Sequence, residues 1–167
     1  DKINFEEFFS LKMYSKCTPF PTGGRLTSDK EYVYFSTDAY LNSKNIENLD
    51  IFSNDHVGVI LQIDKISSKS KLFSSGHRNV QGLIKYKDVL LSTEHGPRGG
   101  DEINKIIFNQ NYGWPYASYG EHYYTSKEDS YELLKNHAKN DYIEPIFSYV
   151  PSIGISQIIN VDLKFSE

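Results

Sequence analysis

Three short segments hold most of the residues of this chain that could do chemistry. They are residues 75–82, 93–104 and 111–115, and they contain the only tryptophan, more than half of the eleven glycines, and a mixed set of His, Arg, Asn, Asp and Glu side chains. Glycine tolerates positive φ and lets the main chain approach a ligand closely, and binding residues concentrate on loops. The pattern therefore predicts a binding surface built on loops. Tight turns between strands are the alternative, because the same small residues are ordinary turn formers.

The order, spacing and wording of these segments resemble one protein family. Residues 76–79 read Gly-His-Arg-Asn, residues 94–97 read Glu-His-Gly-Pro, residues 101–104 read Asp-Glu-Ile-Asn, and residues 111–115 read Asn-Tyr-Gly-Trp-Pro. Together they are similar to the glucose/sorbosone dehydrogenase family, whose members are soluble sugar dehydrogenases that carry pyrroloquinoline quinone (PQQ) and calcium on a six-bladed β-propeller. Fainter matches at residues 24–26 and 150–153 extend the resemblance over most of the chain.

The resemblance implies a site for PQQ and for the calcium ion that contacts it. PQQ is a flat, tricarboxylated ortho-quinone, so its pocket needs guanidinium groups for the carboxylates and a hard cation for the quinone oxygens. Arg78 and Asn79 match the positions that hold the cofactor in the family. The main-chain carbonyl groups of Gly96 and Pro97 match those that hold the calcium ion. The alternatives are a structural salt bridge between Arg78 and an acid such as Glu94, and a plain turn at Gly96-Pro97.

A second, structural calcium ion of the family draws on an acid and a tyrosine. These match Glu102 and Tyr112 in this chain. The other ligands of that ion have no match in the sequence, and Glu121 is a candidate only because it lies nearby.

The catalytic base of the family has no counterpart in the sequence. It is a histidine three residues before the Gly-Arg-Leu element at 24–26, and this chain has Pro21 at that place. Proline cannot accept a proton, so no catalytic residue is assigned. His77 and His95 are expected to be hydrogen-bonded turn or core residues. The five histidines form no pair at the i, i+3 or i, i+4 offset, so a zinc site is not expected.

Three functions stay open on this basis. The chain could be the working part of a PQQ- and calcium-dependent dehydrogenase that oxidises an aldose by hydride transfer to the quinone. It could instead be a non-catalytic propeller module that binds calcium, quinone or sugar without turnover, or a scaffold that binds a protein partner. Sugar-dependent dye reduction would indicate the enzyme, and ligand binding without turnover would indicate the non-catalytic module. A chain that shows neither would be the scaffold.

Composition and motifs exclude several other classes of function. The formal net charge of −4 gives no reason to expect nucleic acid or an anionic membrane as a partner. No apolar run approaches the roughly 20 residues needed to cross a bilayer, and no P-loop, Rossmann or nucleophile-elbow fingerprint occurs. The single cysteine excludes an internal disulfide. No signal peptide is evident, and a periplasmic or secreted location is implied only by the family.

Short β-branched runs separated by polar turns predict an all-β fold. We expect strands at residues 32–35, 57–63, 81–86, 89–92, 103–107 and 143–149, with a hairpin turn at Lys87-Asp88. Residues 126–137, with a serine cap and acids before bases, predict one short helical insertion.

The length bounds how much of a propeller the chain can form. A four-stranded blade takes about 40 to 50 residues, so the 167 residues predict a single partial β-propeller domain, residues 1–167, of about three antiparallel blades. The strands at its two open ends need covering. We expect a second copy in a homo-oligomer, further chain, or a local rearrangement to cover them.

Overall fold

The computed structural model describes residues 3–11, 24–39, 56–123 and 132–161. Their strands form two sheets. The strands are β1 (Leu26–Ser28), β2 (Tyr32–Ser36), β3 (Val59–Asp64), β4 (Ser70–Ser75), β5 (Val80–Tyr86), β6 (Val89–Glu94), β7 (Asp101–Ile106), β8 (Gln110–Asn111) and β9 (Phe147–Tyr149).

The first sheet has the strand order β1-β2-β3-β4-β8. Strands β1 to β4 form an antiparallel meander, and β8 joins β4 in parallel. Strand β3 reads Val-Ile-Leu-Gln-Ile-Asp, and every residue except the last is buried. A strand buried on both faces is largely apolar, and β3, which is apolar except for Gln62 and Asp64, accordingly lies in the middle of the sheet.

The second sheet is antiparallel, with the order β5-β6-β7-β9. Tyr86 pairs with Val89, so Lys87 and Asp88 alone connect β5 to β6. The turn predicted at Lys87-Asp88 is therefore confirmed. Lys87 has a φ of 52°, which is a common feature of tight hairpin turns.

The main apolar core lies between the two sheets. Tyr34 and Ile60 of the first sheet pack in one buried cluster with Val80, Leu83, Leu90 and Ile106 of the second sheet and with Tyr112. Each sheet has one apolar face, and the two faces are buried when the sheets pack together, as neighbouring layers of a domain do. This packing fixes the ends of β4, β5, β6 and β7 relative to one another, and the loops at those ends carry the motifs.

The all-β prediction is confirmed, while the number of sheets and two elements differ from expectation. Two sheets occupy the described residues, whereas the length predicted about three blades. The reason is that the described residues between β7 and β9 hold only the short strand β8 and a 3₁₀ turn at Ala138–Asn140. Residues 132–137 of the expected helix are not helical, and residues 126–131 lie outside the described part. Of the strand expected at 143–149, only Phe147–Tyr149 forms.

Each sheet has edges that no further strand covers within the described residues. Strand β9 is one edge, and apolar side chains around it are exposed, namely Ile146, Phe147 and Val150. Coverage of the edges by a second copy or by further chain stays a prediction. In the ranges that the structure describes, no helix has the length and hydrophobicity needed to span a membrane.

Candidate functional site

Three connections meet at one end of the two sheets. The β4–β5 connection (residues 76–79), the β6–β7 connection (residues 95–100) and the loop after β8 (residues 112–118) are tied together by main-chain hydrogen bonds. Trp114 N donates to Gly76 O at 3.0 Å, and His95 N donates to Asn79 O at 2.9 Å. Sheet packing therefore brings segments that are far apart in sequence to a single place.

The three connections enclose a small polar cavity. Its volume is about 20 Å³, which is enough for one water molecule or one ion. Its lining consists of Gly76, Arg78, Glu94, His95, Gly96, Glu102, Tyr112, Trp114, Ala117 and Ser118. Four of the residues singled out in the sequence, namely Arg78, Gly96, Glu102 and Tyr112, thus share one cavity.

The guanidinium group of Arg78 faces the β6–β7 connection. Its Nη1 donates to the main-chain oxygen of His95 at 2.9 Å and of Gly96 at 2.7 Å. The same group lies over the ring of Trp114 at 5.2 Å and near that of Tyr123 at 5.9 Å. Arg78 and the Gly96 carbonyl group therefore belong to one crevice, as a shared ligand site requires.

Glu94 contacts Arg78 through the main chain. Its Oε2 accepts a hydrogen bond from Arg78 N at 3.2 Å, while its Oε1 accepts one from His77 Nδ1 at 2.7 Å. Burial acts to raise the pKa of Glu94, but the charge of His77 and the hydrogen bonds it receives outweigh this, so the pKa is lowered. Glu94 is accordingly an ionised, fully hydrogen-bonded carboxylate beside the cavity.

Glu102 lies in a group of acidic and amide side chains. Asn104 Nδ2 donates to Glu102 Oε2 at 3.3 Å, and His137 Nε2 lies 3.8 Å from Glu102 Oε1. Burial, followed by the charges of Glu94, Glu144 and Asp101, raises the pKa of Glu102 to about 8. The buried Oδ1 atom of Asn104 has no hydrogen-bond partner among the described residues. This oxygen-rich group has the donors that a hard cation prefers.

The raised pKa of Glu102 predicts a pH-dependent stability for the metal-free protein. In the unfolded chain the carboxyl group ionises near its ordinary pKa of 4.5, whereas in the folded protein it keeps its proton up to about pH 8. The folded state then binds more protons in this window, so the contribution of Glu102 to stability is full below about pH 4.5 and is lost as the pH rises to 8, with a slope approaching about 1.4 kcal/mol per pH unit. Thermal melts with a chelator should show this fall, and Glu102→Gln should flatten it. An equal slope in the variant would contradict the prediction.

Tyr112 contributes packing and its main chain to the site, while its hydroxyl group points elsewhere. The hydroxyl group donates to Lys105 O at 2.6 Å and accepts from Ile107 N at 2.9 Å. Burial, together with the charge of Glu94, raises the pKa of this hydroxyl group to about 12 although the bond from Ile107 lowers it. The tyrosine therefore stays neutral, and any contact with a cation would come from its main-chain oxygen.

The remaining residues from the sequence analysis lie around the cavity or outside the described ranges. Asn79 and Pro97 are buried and do not line the cavity; the side-chain Oδ1 of Asn79 accepts from Gln81 Nε2 at 2.6 Å. Glu121 pairs with Arg98 through the main chain. Pro21 lies outside the described residues.

Asp38 also lies close to Arg78, although no motif in the sequence marks it. This residue follows β2, next to Ala39, whose N donates to Arg78 O at 2.9 Å. Burial raises the pKa of Asp38 to about 7, although the charge of Arg78 lowers it. Its buried Oδ1 has no hydrogen-bond partner in the part of the chain that the structure describes. An acid directly after a strand was the only signal that the sequence offered.

Comparison with known proteins identifies the family of this chain. The family profile described as Glucose / Sorbosone dehydrogenase matches residues 5–165. The chain belongs to the glucose/sorbosone dehydrogenase family. This confirms the resemblance carried by the three motifs.

The relatives of this chain include two sugar dehydrogenases. Aldose sugar dehydrogenase YliI of Escherichia coli is 34% identical over 113 residues, which are 60% of this chain and 30% of that protein. Quinoprotein glucose dehydrogenase B of Acinetobacter calcoaceticus is 49% identical over 47 residues, 28% of this chain and 10% of that protein. The chain thus spans less than a third of the length of these relatives.

The fold agrees with a solved structure of the family. The soluble aldose sugar dehydrogenase of E. coli in its apo form superposes with a TM-score of 0.62 at 28% identity. The match covers 81% of this chain and 42% of that structure. The prediction that this chain is part of a β-propeller is thereby confirmed.

Proposed function

We propose that this chain supplies the PQQ- and calcium-binding face of a sugar dehydrogenase that oxidises an aldose by hydride transfer to the quinone. The observation that carries the proposal is the 2.7 Å contact between the Arg78 guanidinium group and the Gly96 carbonyl oxygen, at a cavity that Glu102 and Tyr112 also line. The Arg78 guanidinium group would bind an anionic group of the cofactor there, and the adjacent Gly96 carbonyl oxygen would bind a hard cation. The periplasmic or secreted location of the enzyme is part of the same proposal.

The donor set of the crevice suits calcium. Gly96 O accepts one hydrogen bond from Arg78 and, as a carbonyl oxygen, keeps a second lone pair. Glu102 and the buried Oδ1 of Asn104 add oxygen atoms a short way off. In the described ranges no three His, Cys, Asp or Glu side chains form a ready metal site. The proposed calcium sites therefore depend on the main-chain oxygens of Gly96 and Pro97, and of Tyr112 beside Glu102.

The surroundings of Arg78 suit a flat, carboxylated quinone. A guanidinium group beside two aromatic rings offers both a fork for a carboxylate and faces against which a planar ring can stack. Asn79, the next residue, does not line the cavity and has its Oδ1 bonded to Gln81, so its amide Nδ2 would be the group offered to the quinone. When bound, PQQ supplies the electron acceptor of the oxidation, and calcium supplies the Lewis acid. The residues of this chain bind and orient the two groups.

The proton acceptor of the reaction is not assigned to this chain. Pro21 stands where the family has its histidine, and general-base catalysis contributes about 10²- to 10⁴-fold. This substitution favours a second candidate, a propeller module that binds calcium, quinone or sugar without turnover.

Reconstitution tests the proposal. The purified protein is incubated with calcium and PQQ, quinone binding is followed by absorbance, and a panel of aldoses is assayed for dye reduction. Binding with sugar-dependent reduction supports the dehydrogenase. Binding without reduction supports the non-catalytic module. The absence of quinone binding at calcium saturation overturns the dehydrogenase, and the absence of calcium, quinone and sugar binding overturns both.

Calcium is expected to stabilise the protein through Glu102. A ligand at about 100 times its dissociation constant adds about 2.7 kcal/mol to the free energy of unfolding, which corresponds to roughly 5 to 10 °C in Tm for a chain of this size. Glu102→Gln should remove most of this gain. Glu31→Gln, the same change at an exposed residue, should keep it. Equal calcium-induced shifts in the two variants would exclude Glu102 as a ligand.

A further inference from the structure

We propose that Glu94 and His77 are positioning residues that hold Arg78 against the β6–β7 connection. This role rests on the proposed quinone site, because Glu94 and His77 would fix the orientation of Arg78 toward that site. His77 is fully buried and does not line the cavity, while Glu94 lines it with both of its carboxylate oxygens already hydrogen-bonded to the protein.

The carboxylate of Glu94 receives four hydrogen bonds. Its Oε1 accepts from His77 Nδ1 at 2.7 Å, Ser92 Oγ at 3.0 Å and Asn104 Nδ2 at 3.2 Å. Its Oε2 accepts from Arg78 N at 3.2 Å. Burying a charge is unfavourable unless it is paired and hydrogen-bonded, so this arrangement holds the carboxylate in one orientation.

His77 extends the network to the first sheet. Its Nε2 shares a hydrogen bond with Ser74 Oγ on β4 at 2.8 Å, and its ring stacks on that of Tyr112 with centroids 4.7 Å apart. Serine, histidine and glutamate are hydrogen-bonded here in the same order as in a nucleophilic triad. Ser74 is only 1% exposed, so no substrate could reach its hydroxyl group. The network therefore joins β4 to β6 and performs no nucleophilic chemistry.

The Glu94 carboxylate thus lies between the main chain of Arg78 and the carbonyl groups that accept hydrogen bonds from the Arg78 side chain. Glu94 binds the main-chain N of Arg78, and it is also the residue immediately before His95 and Gly96, whose carbonyl oxygens receive the guanidinium group. The main chain at Arg78 and the acceptors of its side chain are held by the same group. A loss of the Oε2 bond should therefore release Arg78 specifically.

The substitution Glu94→Gln separates this role from general stability. With its carbonyl oxygen toward the three donors at the Oε1 position, glutamine satisfies His77, Ser92 and Asn104. Its amide NH₂ then faces Arg78 N, donor against donor, and the bond to Arg78 is lost. Glu31→Gln makes the same change at an exposed site and is the matched control.

Two readouts follow the position of Arg78. Trp114 is the only tryptophan, and the guanidinium group lies 5.2 Å from its ring, so its fluorescence reports on Arg78 without any quinone. Arg78→Met provides the reference for a removed guanidinium group. We expect Glu94→Gln to give at least half of the fluorescence change of Arg78→Met, and to weaken PQQ binding about 10- to 100-fold. Circular dichroism confirms that the variants are folded.

The outcomes separate this proposal from the proposed function. Wild-type fluorescence and quinone affinity in folded Glu94→Gln would overturn the positioning role while leaving the quinone site intact. If the wild-type protein binds no quinone, the proposed function fails, and the fluorescence comparison still decides the positioning role. If Glu94→Gln does not fold, Ser74→Ala removes only the outer bond of the network. Ser74→Ala should weaken PQQ binding about two- to tenfold and shift the Trp114 fluorescence in the same direction as Arg78→Met does. Wild-type PQQ affinity together with wild-type fluorescence in Ser74→Ala would overturn the positioning role.

Discussion

Replacing Arg78 with alanine is expected to weaken PQQ binding by about 30- to 4,000-fold while the two sheets stay folded. The guanidinium group is the cation of the crevice, and it also holds the oxygens of His95 and Gly96. Removing one partner of a buried, hydrogen-bonded charge pair costs about 2 to 5 kcal/mol, roughly a 30- to 4,000-fold loss of affinity. Arg78 lies in a connection rather than in a strand, so the strand pairing does not depend on its side chain.

Titration of the quinone absorbance in the presence of calcium measures this effect. Arg98→Ala removes the same charge from an exposed position in the neighbouring connection and should leave the affinity unchanged. Arg78→Lys keeps the charge but loses the planar fork, so we expect an intermediate affinity. Titration curves that coincide for the wild type and Arg78→Ala would show that the guanidinium group does not bind the quinone.

Local patterns in the sequence were sufficient to predict most of the strands and the β5–β6 hairpin. Strand β3 is rich in β-branched and other apolar residues, and Lys87-Asp88 separates two predicted strands at hairpin spacing. Strand β4 was not predicted, because Ser-Lys-Leu-Phe-Ser-Ser has no β-branched residue and is half exposed. It is stabilised as a strand by its pairing with β3 and β8, a tertiary effect that propensity does not contain.

The number of sheets could not be obtained from length alone. The expectation of about three blades assumed that every residue contributes to a blade of ordinary size. The described residues between β7 and β9 instead run mostly as loops, and they include Trp114 and the other residues that cover the cavity. Length therefore bounds how much of a propeller the chain can supply, but it does not give the number of sheets that the described residues form.

The residues of the site were predictable as motifs, but their contacts were not. The sequence placed Arg78, Gly96, Glu102 and Tyr112 in three segments, and sheet packing brought them to one cavity. It could not show that Glu94 accepts a hydrogen bond from the main-chain N of Arg78. Main-chain contacts of this kind depend on the path of two loops. Asp38 was missed for the same reason, because its neighbour Arg78 is forty residues away in the chain.

Replacing Gly76 with alanine is expected to destabilise the whole site. Gly76 has a φ of 76°, and a Cβ atom there would overlap Asn111 Oδ1 and lie 2.6 Å from Gly113 N. Gly76 O also accepts from Trp114 N, so the loop after β8 cannot withdraw without breaking that bond. Positive φ costs a non-glycine residue about 1 to 2 kcal/mol and overpacking a further 1 to 3. The free energy of unfolding should therefore fall by about 2 to 5 kcal/mol.

Gly24→Ala isolates the steric part of this effect. Gly24 has nearly the same φ, 77°, but no atom of the described residues lies within 4 Å of its Cβ position. Its substitution should cost only the backbone strain, about 1 to 2 kcal/mol. Thermal melts should then give a larger decrease in Tm for Gly76→Ala, by about 2 to 4 °C for each additional kcal/mol. Trp114 fluorescence should also change in Gly76→Ala alone, because the displaced loop carries the tryptophan. Equal melting temperatures for the two variants would mean that the β4–β5 connection and the loop after β8 are not packed as closely as the contacts at Gly76 require.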